Sequence, residues 1–258
     1  MIGFFIKKSF FDGWDNLIGL VVQNLGYTLF LLGVAGCLGI GDSHTALSIA
    51  LLVLLAGLFS FYQAGTGSLT YSYSKYERGG FAGFKSGITT SWHHALLYWA
   101  IIFLLLMLAF FVMPFYMSYG NTFGLVITVV LFWVFIACFL ALMYFFPLHF
   151  TMSADRPTKT FKKCFILIAD NLGVSLFCAL YIVVQAVISF FTAGLVPGFA
   201  GIQLTGMVCI KLLMLKYDYL EANPGSERKH IPWEEILYDE RECVGHRSFR
   251  NMIFPWKD

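Results

Sequence analysis

The sequence predicts an all-α, multi-pass membrane protein with six transmembrane helices. Three observations predict this fold class. Hydrophobic residues make up 59% of the 258 residues and charged residues only 12%, six apolar runs are long enough to cross a bilayer, and Lys and Arg are confined to alternate connections. A soluble domain carries about 25% charged residues, and a membrane-spanning helix needs about 20 apolar residues. The excess apolar surface therefore requires lipid around it.

The apolar runs define six predicted spans, because only a helix satisfies its own backbone hydrogen bonds in lipid. They cover residues 17–40, 46–71, 95–117, 123–150, 172–195 and 199–217. Together they form a predicted transmembrane domain over residues 1–217, and a tail over residues 218–258 follows it.

Positive charge predicts the orientation. The connections at 41–45, 118–122 and 196–198 carry no Lys or Arg, whereas the opposite connections and both terminal segments are basic. By the positive-inside rule, both termini are predicted to lie in the cytoplasm, and we expect a bacterial inner membrane. Lys211 and Lys216 lie near the end of the last span, so we expect their side chains to reach the lipid headgroups.

Three similar segments precede the three predicted hairpins. In each, a basic residue stands nine positions before an Asn or His, and the segments are offset by 78 and 77 residues. Apolar residues recur at every fourth position, as in Ile6, Phe10 and Trp14, which indicates one face of a helix. We predict three parallel repeats over about residues 1–78, 79–155 and 156–217, each with an interfacial amphipathic helix, an elbow and a hairpin. The predicted elbow residues are Lys7, Trp14, Asn16, Lys85, Trp92, His94, Lys162 and Asn171.

These elbow residues also have a more general interpretation. Any cytoplasmic segment that enters a membrane collects Lys, aromatic residues and a helix cap, which explains the residue types but not their matched spacing. In either case we expect Asp15 or Asn16, and Asp170 or Asn171, to cap the N terminus of the following span.

Polar residues interrupt two of the spans. Gln23 and Asn24 lie in the first and Gln185 lies in the fifth. They are candidates for lining a small polar cavity on a pseudo-threefold axis, which would suit a small-solute channel or transporter. The alternative is hydrogen bonding between helices, worth roughly 0.6 kcal/mol per contact. The predicted spans contain no carboxylate, which disfavours a carboxylate-driven transporter.

Motifs for catalysis or cofactor binding are absent from the sequence, so we expect neither an enzyme nor a cofactor. Neighbouring residues such as His93 and His94 point about 100° apart on a helix and form a poor metal site by themselves. The six Cys residues show no C-x-x-C spacing, and no basic stripe stands apart from the membrane flanks, which argues against nucleic-acid binding. A lipid-handling enzyme that uses His93, His149 and Asp170 is a further alternative.

The tail contains a predicted short helix from Pro232 to about Val244. One side of this helix carries Trp233, Ile236, Leu237 and Glu240. An aromatic and basic ending follows, and two interpretations of it stay open. The tail docks beneath its own bundle or on headgroups, or it binds a partner subunit. The candidate partner-binding residues are Trp233, Arg247, Arg250, Phe254, Pro255 and Trp256.

Two segments of the chain resemble the YesL-like family of bacterial membrane proteins. One is GSLTYSYSKY at residues 67–76, followed by Phe84-Lys85-Ser86, and the other is FFDGWDNL at residues 10–17. The resemblance covers about the first 110 residues and, more loosely, residues 160–180. It departs from the family at residues 40–43, where Ile-Gly-Asp-Ser replaces a proline-marked turn.

Members of that family resemble accessory proteins of carbohydrate ABC importers, without an established chemistry. The resemblance therefore implies an accessory role and carries over no catalytic residue. Together with the missing catalytic groups and the aromatic tail, it leads to the first functional hypothesis. The chain is expected to be a non-enzymatic accessory or scaffold subunit of a bacterial inner-membrane complex, with membrane lipids and other membrane or cytoplasmic subunits as partners.

Overall fold

The computed structural model describes residues 1–41, 43–225, 231–245 and 247, and its regular structure there is helical throughout. The helices are α1 (Ile2–Asp15), α2 (Leu17–Gly39), α3 (Thr45–Ser74), α4 (Phe81–Thr90), α5 (Trp92–Met107), α6 (Met113–Met117), α7 (Thr122–Thr151), α8 (Pro157–Asp170), α9 (Leu172–Phe191), α10 (Gly198–Ala222), α11 (Trp233–Ile236) and α12 (Tyr238–Val244). A π-helical segment, Leu108–Val112, joins α5 to α6. It lies just before Pro114, which has no N–H to donate to the preceding turn.

Six helical stretches are long and apolar enough to cross a membrane. They are α2, α3, α5 continued through α6, α7, α9 and α10. This confirms the predicted all-α class and the six candidate spans. The short tail helix is also present as α11 and α12, and it ends at Gly245, whose φ of 74° is in the left-handed region that glycine adopts readily.

Each candidate hairpin follows a helix of its own. The pairs α1–α2, α4–α5 and α8–α9 are separated by the single residues Asn16, Ser91 and Asn171. The first and third breaks fall at predicted elbow residues. The second break falls at Ser91, three residues before the predicted His94. His94 is buried in the first turn of α5, and its ring stacks on that of His149 in α7.

The prediction that these Asn residues cap the following span is wrong. No side-chain cap is made at the start of α2 or α9. Instead, the side-chain amide of Asn16 donates to the carbonyl of Asp12 at 2.9 Å, and that of Asn171 donates to the carbonyl of Leu167 at 3.2 Å. The two Asn side chains therefore bind carbonyls in the last turn of the preceding helix, and the carbonyl of Leu167 also accepts from the backbone N–H of Asn171 at 3.0 Å.

Three helices form the centre of the bundle. The second helices of the hairpins, α3, α7 and α10, all contact one another. A Cβ added to Gly67 of α3 would lie 2.7 Å from the ring of Phe150 and 3.1 Å from Nε2 of Gln203, and one added to Gly206 of α10 would lie 3.1 Å from the carbonyl oxygen of Met143. Glycine thus permits a close approach that any larger side chain would prevent.

Burial is unequal along these helices. In the most apolar part of α10, 72% of the residues are buried, compared with 6% in α7 and 11% in α3. The buried residues of α3 and α7 concentrate in the halves nearer α1 and the tail, over residues 60–74 and 141–149. We call this the tail side of the bundle. The opposite halves of α3 and α7 expose apolar side chains, as surfaces in contact with lipid do.

Candidate functional site

The C terminus of α3 lies at the centre of the candidate site. It ends in a Schellman motif, in which the N–H of Glu77 donates to the carbonyl of Ser72 at 3.0 Å and the N–H of Tyr76 to that of Tyr73 at 3.0 Å. Glycine is usual at the position of Tyr76, whose φ is 63°. Such a conformation costs roughly 1–3 kcal/mol at a non-glycine residue, so it persists only where neighbouring contacts hold it.

Two lysines from distant parts of the chain meet at this helix end. Lys8 of α1 donates to the carbonyl of Ser74 at 3.2 Å, and Lys211 of α10 donates to the same oxygen at 2.8 Å. Their Nζ atoms also lie 3.9 Å and 4.9 Å from the centroid of the Tyr76 ring. The C terminus of a helix carries a partial negative charge, and an aromatic face attracts cations, so both features favour the ammonium groups here.

Two carboxylates balance the two ammonium groups. The two carboxylate oxygens of Glu240 lie 3.1 Å from Nζ of Lys8 and 2.5 Å from Nζ of Lys211. Asp12 lies one turn after Lys8, with Oδ2 2.9 Å from Nζ. The Tyr76 hydroxyl accepts from Lys8 at 2.6 Å and donates to Glu240 at 3.0 Å. We call Lys8, Asp12, Tyr76, Lys211 and Glu240 the ionic cluster.

The ionic cluster is shielded from solvent at Lys8 and Asp12, whereas Tyr76 is 40% exposed and the Lys211 side chain 22% exposed. The side chains of Lys8 and Asp12 are 0% and 1% exposed, and that of Glu240 is 13% exposed. The contact of Lys8 with Oδ2 of Asp12 lacks hydrogen-bond geometry, so this oxygen has no donor among the described residues. Burial of an incompletely satisfied carboxylate disfavours its charged form.

The two carboxylates therefore titrate differently. Burial raises the pKa of Asp12 to about 6, although the charge of Lys8 opposes the rise. Burial also acts to raise the pKa of Glu240, but the hydrogen bond from Lys211 and the charges of Lys8 and Lys211 lower it below its usual value. Burial raises the pKa of Tyr76, so its hydroxyl keeps the proton that it donates to Glu240.

The ionic cluster fastens the described part of the tail to the bundle. Glu240 reaches it from α12, while Leu237 and Val244 on the same segment are buried. At the end of α12, Lys7 donates to the carbonyl of Gly245 at 2.9 Å. These contacts show that residues 231–245 dock on their own bundle, one of the two interpretations of the tail.

Two of the predicted partner-binding residues contact the bundle, and the other four lie outside the described residues. Trp233 packs half-buried against the hydrophobic core. Arg247 donates to both carboxylate oxygens of Asp15, at 2.8 and 2.9 Å. Arg250, Phe254, Pro255 and Trp256 lie outside the described residues.

The predicted elbow residues do not share one role. Trp14 and Trp92 are exposed beside the breaks that precede the first two hairpins, and Lys85 and Lys162 are also exposed. These four positions suit contacts with the membrane interface. Lys7 differs from them, because its ammonium group binds the tail.

The third elbow is closed by hydrogen bonds from α10. The side-chain amide of Asn171 donates to the Tyr217 hydroxyl at 2.6 Å and its oxygen accepts from Lys216 at 2.6 Å. The expectation that Lys211 and Lys216 extend to lipid headgroups is therefore wrong. Both ammonium groups instead bind protein oxygens, Lys211 those of Ser74 and Glu240 and Lys216 that of Asn171.

The three residues predicted to line a polar cavity make hydrogen bonds between helices. The Asn24 side chain donates to the carbonyls of Leu195 and Pro197 at 2.9 and 2.7 Å and accepts from the N–H of Ala200 at 2.9 Å, so it holds the α9–α10 turn. A cavity of about 210 Å³ is lined by Gln185 but not by Asn24.

Gln23 and Gln185 are held in separate contacts. The Gln23 amide donates to the Tyr73 hydroxyl at 3.3 Å, and the Gln185 oxygen accepts from Thr205 at 2.9 Å. The structure therefore assigns each of these side chains to a helix contact and does not bring the three together around one cavity.

Histidines at the second elbow also pack within the protein. The rings of His94 and His149 stack with centroids 3.6 Å apart. A nitrogen of His149 lies 2.8 Å from the Ser91 hydroxyl, and one of His94 lies 3.3 Å from that of Thr160. Among the described residues, no group of three or more His, Cys, Asp or Glu could hold a metal ion.

The residues suggested for a lipid-handling enzyme do not line one cleft together. His93 borders an open cleft of about 410 Å³ that Arg156 also lines, but His149 and Asp170 do not line it. Asp170 instead accepts a hydrogen bond from Tyr217 at 2.6 Å. This cleft therefore does not bring the three groups together.

Comparison with known proteins gave no matching family model, no matching curated protein and no matching solved structure.

Proposed function

We propose that this chain is a non-enzymatic accessory or scaffold subunit of a bacterial inner-membrane complex. The observation that carries the proposal is the ionic cluster, which fixes the tail against the bundle. Removing charged groups from water costs several kcal/mol per ion, and complementary contacts have to offset it. Two fully buried charges, Lys8 and Asp12, and two partly buried ones, Lys211 and Glu240, are an expensive way to hold a surface segment, which indicates that the position of the tail matters to the function.

The docked tail fixes the position at which the last residues of the chain begin. Arg247 is tied to Asp15 at the surface of α1, and the sequence that follows contains Arg250 and Phe254-Pro255-Trp256. Aromatic residues and Arg are the side chains that most often dominate the energy of protein interfaces. We therefore propose that this ending binds the partner subunit, while the docked helix positions it.

The resemblance to the YesL-like family suggests the permease of a carbohydrate ABC importer as the partner. In the proposed orientation both termini are cytoplasmic, which the one-sided distribution of Lys and Arg supports. The three helix–elbow–hairpin units are proposed to be parallel repeats. Their support is the matched sequence spacing, together with the mutual packing of α3, α7 and α10.

Affinity purification in a mild detergent tests the proposal. The full chain and a chain that ends at Arg247 would be tagged and isolated from membranes of the native host after crosslinking. We expect partner subunits with the full chain and their loss from the shortened one, since the docked helix is intact in both. Phe190→Ala is the control, because Phe190 is exposed on α9 and should not affect recovery. Recovery of the chain alone in every case would overturn the proposal.

A further inference from the structure

A groove of about 210 Å³ lies between the first elbow and the third hairpin. Its walls come from α1, the start of α2, α9, and the turn into α10. Apolar side chains dominate them, including those of Phe10, Leu17, Ile188 and Leu204. A pocket with these properties suits a hydrocarbon segment, with a few polar groups to fix its orientation.

One of the polar groups in the groove has no partner. Ser9 is only 5% exposed, and its hydroxyl makes no hydrogen bond with the described residues. Leaving a buried hydroxyl unpaired is destabilising, so a ligand that supplies an acceptor is favoured here. Serine in a helix commonly bonds back to the carbonyl four residues earlier, and here it does not. Of the other polar side chains in the wall, Gln185 already accepts from Thr205.

The groove continues into the surface that faces lipid. Trp14 is 53% exposed and Ile188 is 47% exposed, and both line it. Four residues after Trp14, Ile18 of α2 is 81% exposed. A lipid chain could thus enter from the side without crossing a polar barrier.

We propose that this groove binds an acyl chain of a membrane phospholipid, with an ester carbonyl that accepts a hydrogen bond from the Ser9 hydroxyl. The apolar walls hold the methylenes next to the ester. The hydroxyl supplies the donor that a carbonyl requires, and the lipid supplies the acceptor that Ser9 lacks. The phospholipid headgroup then lies near Trp14, at the interface where Trp is favoured.

This inference does not depend on the proposed accessory function. Both sites use α1 and α10, but through different residues, because no member of the ionic cluster lines the groove. A failed lipid test leaves the partner experiment unchanged, and the reverse also holds.

Two substitutions on the same helix provide the first test. A Cβ at Gly13 would lie 3.8 Å from Leu20 and 4.0 Å from Leu204, in ordinary van der Waals contact, so Gly13→Leu places its side chain from the wall of the groove. Gly3→Leu is the matched control, because no atom lies within 4 Å of a Cβ there. Native mass spectrometry of each full chain, exchanged into phosphatidylethanolamine and phosphatidylglycerol nanodiscs and released gently, would count the retained lipids. We expect one fewer lipid with Gly13→Leu and no change with Gly3→Leu.

The second test examines the hydrogen bond. Diester and diether forms of phosphatidylglycerol differ in the carbonyl that we assign to Ser9. Loss of one neutral hydrogen bond weakens binding by about 2- to 10-fold. We expect the wild-type chain to prefer the diester by this factor, and Ser9→Ala to bind both forms equally.

Two outcomes would overturn the proposal. One is equal lipid retention by wild type, Gly13→Leu and Gly3→Leu. The other is a diester preference that persists in Ser9→Ala. If Gly13→Leu instead displaces a copurifying protein and leaves lipid retention unchanged, the groove is a protein interface and the lipid assignment is wrong.

Discussion

Lys8 has the most constrained environment among the charged residues of the described chain. Its side chain is fully buried, yet its ammonium group touches a carbonyl, a phenol and two carboxylates. Each contact offsets part of the free energy that is lost when a charge is removed from water. The C terminus of α3 adds a favourable field, because its last carbonyl points at the ammonium group. Lys8 and Lys211 therefore act as structural cations, with their hydrogen bonds directed at the protein.

Asp12 leads to a prediction about pH. Its pKa is raised to about 6 in the folded protein, from 3.8, so between pH 4 and 6 the folded state holds a proton that the unfolded state has released. The contribution of Asp12 to the free energy of unfolding then falls as the pH rises through this window and is constant above it. The full effect is about 3 kcal/mol.

Comparison with Asp12→Asn isolates this contribution, because Asn cannot titrate. Thermal unfolding in detergent at several pH values from 4 to 8 would give the difference in Tm between the two chains. We expect wild type to lose Tm relative to the variant between pH 4 and 6, with a constant difference above pH 7. A difference that does not change with pH would contradict the raised pKa.

At the scale of elements, local sequence patterns predicted the helices well. The predicted span at 123–150 corresponds to α7 over Thr122–Thr151, and the tail helix begins and ends near the expected residues. Apolar runs and turn residues are local signals, so a short window contains what is needed to place them. The breaks at Asn16 and Asn171 were found for the same reason.

The candidate site could not be predicted in this way. Its contacts join residues 66, 137 and 232 positions apart, which no local window includes. Lys8 and Lys211 resemble the other basic residues that flank the spans. One signal was available in the sequence. Glu240 lies on the same side of the tail helix as the apolar Leu237, a position from which its carboxylate can face the bundle.

The docking of α12 yields a prediction at this scale. Removing one partner from a buried ion pair typically costs about 3–5 kcal/mol, because the remaining charge is left uncompensated. Glu240→Gln should therefore release the tail from α1 more often. The free energy needed for local opening falls, while the spans keep their own packing.

A cysteine reporter measures the release. Val244 is 1% exposed, so a thiol at this position reacts with a maleimide only when α12 lifts away. The measurement uses Val244→Cys in a chain with Cys243→Ser, which removes an exposed thiol. Labelling should be at least about 10-fold faster with Glu240→Gln. Glu234→Gln is the control, since Glu234 is an exposed carboxylate of the same tail. Equal rates in both variants would show that Glu240 does not hold the tail.

The molecule is closely packed on the tail side, whereas the opposite halves of α3 and α7 expose apolar side chains. Where α3, α7 and α10 meet, glycines bring backbones together and side chains fill the remaining space. Thr66 of α3 donates to Oε1 of Gln203 at 2.8 Å, and Nε2 of Gln203 donates to the carbonyl of Gln63 at 2.9 Å. The polar groups of the centre thus satisfy one another. Such packing favours a rigid support over a solute path between the three helices.

Gly67 provides the test of this packed centre. A Cβ there would lie 2.7 Å from Phe150 on α7, so Gly67→Leu forces α3 away from its neighbours. Overpacking of this kind costs typically 1–3 kcal/mol, and we expect about 3 kcal/mol because two helices are displaced. Gly36→Leu is the matched control, since nothing lies within 4 Å of a Cβ at that position of α2. Unfolding of both variants by SDS in mixed micelles would compare their free energies. With a packed centre, Gly67→Leu should unfold at a clearly lower SDS fraction than Gly36→Leu. If the three helices surrounded an open path, the new side chain would project into free space, and both variants would unfold at the same SDS fraction.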